Sequence, residues 1–215
     1  MRIHELAEGL GYWAAGYETL PESHGASGCL LPSEAMPHLE QLDLADRTGW
    51  LLFTEPIGKL TRLESFAAAA DLVDPEPDPS LFLADLARSF AGILVTNVAT
   101  VTPRALCHGL TGGCGTRLML PHLSEEARVA SLRYGWQLSA AFYSALVLEP
   151  APRAMEAPAE TIEEIIDEAI ACPDEHGIKT TEACLREYTL DPDPIYLVAA
   201  LTTTRRLYEV GVNLY

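Results

Sequence analysis

The eleven residues Asp174-Glu175-His176-Gly177-Ile178-Lys179-Thr180-Thr181-Glu182-Ala183-Cys184 crowd imidazole, amine, carboxylate and thiol groups more closely than any other part of the chain. On a helix, residues three and four apart share a face, so His176 and Lys179 point the same way while Asp174 and Glu175 stand in the first turn. Such a face can hold a metal ion or a polar ligand. The same spacing also suits an acidic helix start favoured by the helix dipole, with a lysine on the solvent side, and spacing alone leaves both readings open. Lys179 has a further distinction. The chain carries twelve Arg and only two Lys, Lys59 and Lys179, so arginine serves wherever a generic positive charge is needed. A lysine amine can shed its proton and react, whereas a guanidinium stays protonated.

His108 is the second candidate. It precedes glycines at 109, 112, 113 and 115, which read as a break after a short helix, where a ligand can approach the backbone closely. An ordinary histidine near a helix end fits the same residues. The glycines do not make a phosphate loop, since no Gly-Lys-Ser/Thr follows and no strand precedes. His4, His24, His38 and His122 have no metal-ligand spacing to one another. Glu163, Glu164, Asp167 and Glu168 set carboxylates at helical steps, but the Glu-x-x-His of a di-metal carboxylate site is missing and an exposed acidic face accounts for them. G-x-S-x-G and H-E-x-x-H do not occur, so hydrolase-elbow and zincin chemistry lack their signatures.

Helices must position these side chains, because helical periodicity dominates and no run of alternating β-branched residues occurs. The expected fold class is all-α, a single layered helical bundle of about seven to nine helices forming one domain over residues 1–215. Leu6, Leu10, Trp13, Ala14 and Tyr17 recur at three- and four-residue steps and predict an amphipathic helix over 2–18, ended near Pro21. A loop over 20–34 and short helical pieces over 35–55 follow. Further helices are expected over 60–72, from 79 or 80 to about 98, from Pro103 through Cys107 and His108, and from the Ser124 cap to about 146. The last three cover 161–171, 174–188 and 194–208. Asp74-Pro75-Glu76-Pro77-Asp78-Pro79 reads as a stiff acidic connector, and Pro150, Pro152 and Pro158 mark a second linker.

Composition narrows the partners. Fourteen basic against 31 acidic residues give a net charge of −17, the wrong sign for neutralising phosphates, so neither nucleic acid nor an anionic membrane is expected. Apolar residues make up 48% of the 215 and charged residues 21%, values of a globular chain. Uninterrupted apolar runs such as 93–95 and 196–201 are far shorter than the roughly 18 residues of a membrane span, and no signal peptide is read. Five cysteines, an odd number with no C-x-x-C pair, argue against a disulfide framework and a thiolate zinc site, and a reducing cytoplasm is the expected setting.

Three blocks together resemble a known family. The stretch 174–188 with Asp193-Pro194 and Tyr196-Leu197 is similar to the closing motif of the questin oxidase-like proteins. Cys107-His108-Gly109-Leu110-Thr111, Arg117-Leu118 and Leu120-Pro121-His122-Leu123 agree in order and spacing, and Glu5-Leu6 with Tyr12-Trp13-Ala14-Ala15 and Tyr17 forms a weaker third block. The resemblance implies a helical oxygenase that opens anthraquinone-type rings in polyketide biosynthesis. It implies a mononuclear non-heme Fe(II) held by histidines and by a lysine carboxylated by CO₂, with His108, His176 and Lys179 as the ligands in this chain. Members of that family are longer, with further histidine motifs in an N-terminal half, so a second protein chain supplying that half is an expected partner, beside O₂ and a polycyclic aromatic small molecule.

That chemistry is self-consistent. A neutral lysine amine attacks CO₂, and the carbamate supplies an anionic oxygen, so two imidazoles and one carboxylate-like group reproduce the ligand types of a non-heme Fe(II) oxygenase. The apolar faces of 80–98 and 127–146, with Trp136, Phe142 and Tyr143, are expected to line a pocket for a flat aromatic substrate. Two readings of other classes stand beside it: a non-catalytic helical protein that binds a partner or an aromatic ligand, and a metal-binding module whose three ligands are completed by water.

Overall fold

The computed structural model describes residues 3–17, 19–21, 28–149 and 155–212. Among the described residues there are ten α-helices: α1 (Ile3–Gly16), α2 (Pro32–Ala35), α3 (Leu44–Arg47), α4 (Thr54–Gly58), α5 (Pro79–Asn97), α6 (Pro103–Met119), α7 (Glu125–Leu146), α8 (Ile162–Ala171), α9 (Glu175–Leu190) and α10 (Pro194–Val212). No strand forms among the described residues, where Leu30 and Val73 make one isolated parallel bridge. The all-α expectation holds, with seven long helices and three of four or five residues. Arg2 and Glu18, the expected ends of the first helix, and Pro150 and Pro152 of the expected linker lie outside the described residues.

Several helix starts are set by side chains that satisfy the otherwise unpaired first N–H groups. Asp78 accepts from the Leu81 N–H, Ser124 from Ala127, and Asp174 from His176. Thr161 and Glu164 cap each other reciprocally at the start of α8.

Three expectations change. The helix expected over 60–72 is two 3₁₀ segments, Lys59–Arg62 and Phe66–Leu72, with Leu63 extended between them. Leu60, Leu63, Phe66, Ala69 and Leu72 recur at a strict step of three, and a 3₁₀ turn of three residues keeps such a row on one face. The glycines after His108 do not break the helix, because α6 runs through them without interruption to Met119. A Cβ at Gly109 would stand 2.1 Å from the Phe90 ring, so the missing side chain lets α6 approach α5 closely. The apolar residues Leu10, Trp13 and Ile3 of α1 are exposed rather than packed on the bundle.

The core runs through α5, α6, α7, α9 and α10, with Phe82, Phe90, Leu106, Leu110, Trp136 and Tyr196 fully enclosed. By length and composition α5 is apolar enough to cross a membrane, unlike the short runs noted above, and ten of its residues are buried within the bundle. Asn97 at its end is fully buried and accepts from the N–H groups of Leu148 and Glu149, tying the exit of α7 to α5.

Helices α6 and α9 run parallel and are tied by two arginine–carboxylate pairs. Arg104 meets Asp174 near their starts, and thirteen residues further along each helix Arg117 grips Glu187 with two bonds of 3.0 Å. Glu187 is 1% exposed, so its charge depends on that guanidinium. Removing one partner of such a pair leaves a buried charge uncompensated, whereas replacing both by apolar groups does not. Arg117→Leu is therefore expected to lower stability by about 3–5 kcal/mol in urea unfolding, and Arg117→Leu with Glu187→Leu to recover most of the loss. A single-variant loss below about 1 kcal/mol, the range of exposed pairs, would contradict this description.

Candidate metal centre

His176 is the most firmly held of the candidate residues. Its Nδ1 lies 2.7 Å from Asp174 Oδ1, and the same oxygen accepts the His176 backbone N–H at 3.0 Å. Burial of Asp174 opposes its ionisation, but the bonds from His176 and the Arg104 guanidinium outweigh burial and hold its carboxyl below the usual range. An ionised carboxylate can only accept, so Nδ1 carries the ring proton and Nε2 is left as a lone-pair donor. Asp174, 8% exposed, thus caps α9, salt-bridges to α6 and fixes a tautomer suited to metal binding.

His108 approaches from α6. Its ring centroid lies 5.8 Å from that of His176 at an interplanar angle of 81°. Phe142 stacks with it at 6.2 Å, and Phe53 lies tilted against it at 5.5 Å. Burial first, then the electrostatic influence of the neighbouring Lys179 and His176, push the His108 pKa down to about 4. The ring is neutral at pH 7 and able to donate a lone pair.

Lys179 sits one turn beyond His176 and is half-buried. Among the described residues no carboxylate pairs with its ammonium, whereas Lys59 meets Asp46 at 2.8 Å. The structure brings His108 of α6 and His176 of α9 together, and Lys179, one turn beyond His176, lies near enough for its charge to act on the His108 imidazole. The donor atoms of His108, His176 and Cys107 all lie within 4.8 Å of one another. Cys107, His176 and Asp174 have the residue types of a nucleophilic triad. Cys107 is however 0% exposed and burial pushes its thiol up to about 11, so it is neither reachable nor ionised.

Four participants were not singled out by the sequence reading. Asp174 is a helix cap by its position, and only the fold shows it gripping the imidazole. Arg104 and Cys107 acquire meaning from α9 lying alongside α6. Phe53 belongs to the poorly legible 35–55 stretch, where no periodicity points at His108. In the other direction, Trp136 is core: it is 0% exposed and its indole N–H donates to the Ala69 carbonyl at 2.9 Å. Of the three aromatic residues expected to line a pocket, Phe142 alone stacks on His108. The acidic set on α8 includes Glu168, which binds Arg205.

No family model, no curated protein and no solved structure matches this chain. The site's own geometry and donor chemistry carry the functional argument.

The depressed His108 pKa has a thermodynamic consequence. Between 6.5 and about 4 the unfolded chain takes up a proton at this residue while the folded chain does not, so stability falls as pH drops through that window. The urea midpoint of metal-free protein is expected to decrease over this range, and His108→Gln to weaken the decrease. A dependence unchanged in the variant would contradict the neutral, enclosed imidazole.

Proposed function

We propose that the chain holds a mononuclear metal at His108, His176 and a carboxylated Lys179, and that the metal is Fe(II) in a non-heme oxygenase that cleaves a polycyclic aromatic, anthraquinone-type polyketide. One observation carries the reading: two half-buried imidazoles from different helices face each other beside a lysine that has no carboxylate partner among the described residues. The residues fit the group. His176 is oriented by Asp174 so that Nε2 is free, His108 is neutral, and reaction of Lys179 with CO₂ would turn an uncompensated cation beside two imidazoles into an anionic oxygen donor.

When bound, Fe(II) would supply O₂ activation. The chain's own contribution is positional. Asp174 and Arg104 hold the His176 ring, while Phe53 and Phe142 surround His108 with aromatic faces, a surface suited to stacking a flat ring system. His108, His176 and carboxylated Lys179 would leave part of an iron's coordination to be filled by water, O₂ or a residue of a second protein chain. The exposed apolar side chains of α1, Leu10 and Trp13 among them, are consistent with such a partner. Without that partner, the same three ligands with water describe a metal-binding module that turns nothing over.

Metal content after anaerobic loading with Fe(II), with and without bicarbonate, tests the reading. About one iron per chain, raised by bicarbonate, is expected. Lys179→Arg should lose the bicarbonate dependence and the bound iron while keeping its helical content. Asp174→Asn should retain the site with affinity lower by about 10–100-fold, the usual effect of losing a carboxylate behind a histidine ligand. Equal iron in the wild type and Lys179→Arg, after removal of loosely bound metal, would refute the ligand role.

A further inference from the structure

We propose that Cys107 is a further protein donor to the metal ion held by His108 and His176, adding one sulfur ligand beside their two nitrogens and the Lys179 carbamate. This rests on the reading that the two histidines share an ion, and adds a residue that neither sequence spacing nor the carboxylated-lysine chemistry assigns.

The geometry is specific to this cysteine. Its Sγ lies within 4.8 Å of the donor nitrogens of both histidines. Cys114, Cys172 and Cys184 are equally buried, yet none joins a group of this kind among the described residues. The thiol donates to the carbonyl of Arg104, one turn back, at 3.3 Å, which leaves sulfur lone pairs to donate to an ion. A tetrahedral ion with bonds of about 2.0–2.3 Å places its donors roughly 3.5 Å apart, so side-chain movements on the order of 1 Å close the set. Complete burial suits a ligand, because a metal site of this kind needs no solvent on the sulfur side.

Binding replaces the S–H bond by a sulfur–metal bond and releases the proton to solvent, with no change of oxidation state. A thiolate among imidazoles selects ions that accept sulfur, namely Fe(II), Co(II) and Zn(II), over Mg(II), Ca(II) and Mn(II), which prefer oxygen.

Cobalt(II) reports sulfur ligation directly. Metal-free full-length protein titrated with cobalt(II) chloride is expected to show a near-ultraviolet thiolate-to-cobalt charge-transfer band that saturates at one equivalent. Cys107→Ala and Cys107→Ser should lose that band and bind cobalt more weakly, while Cys114→Ala, a control for a buried thiol elsewhere, should keep it. Cadmium-113 NMR of the wild type gives a readout that needs no variant, with a sulfur-shifted resonance expected. Cobalt bound in a manner dependent on His108 and His176 but without the band would overturn the Cys107 assignment and leave the histidine site standing. No cobalt bound at all would overturn both.

Discussion

Two arginine–carboxylate ties fix the register of α6 against α9, and the rest of the site follows from that register. Arg104 with Asp174 and Arg117 with Glu187 are spaced by thirteen residues on each helix, so the helices run side by side without room to slip. A slip by one turn, about 5.4 Å, would break both pairs together and bury at least one carboxylate alone. Because His108 follows Arg104 by one turn and His176 follows Asp174 by two residues, the tie that sets the register also sets the imidazoles against each other. Asp174 links the two roles, with one oxygen on the guanidinium and the other on the imidazole.

Close helix packing supports the same arrangement from the other side. Gly109, next to His108, brings α6 against Phe90 of α5, a contact that a single methyl group would obstruct. Phe142 from α7 and Phe53 before α4 then close over the imidazole. The outcome is a largely aromatic packing surface for His108 and a hydrogen-bonded carboxylate setting for His176. His176 is oriented by its carboxylate and His108 is confined by packing.

How much of this was legible in the sequence differs by element. The start of α7 was readable because the cap chemistry is local and the Ser124 hydroxyl that satisfies a first-turn N–H is written beside it, while the starts near 161 and 174 followed from periodicity and prove to be capped by Thr161 and Asp174. The row at 60–72 was misread as α-helix because its step of three, a 3₁₀ signature, overlaps with the three-and-four pattern of an amphipathic helix. The glycines of α6 looked like a break because glycine weakens an isolated helix, and only the approach of Phe90 explains why one belongs inside a packed one. At the site, His176 and Lys179 could be placed on one face from spacing alone. That His108 meets them depends on Arg104 finding Asp174 seventy residues away, a tertiary fact with no local trace. The exposure of α1 was equally illegible, since an apolar stripe does not name the surface that covers it.

The central claim is that His108 and His176 ligate one ion. Anomalous diffraction at the iron edge from crystals of the full chain grown with Fe(II) and bicarbonate tests it most directly. The account predicts a single strong peak within bonding distance of a ring nitrogen of His108 and of Nε2 of His176. A peak seated on the acidic face of α8 or on the carboxylates of Asp174 and Glu175 instead, with the two imidazoles unligated, would contradict it.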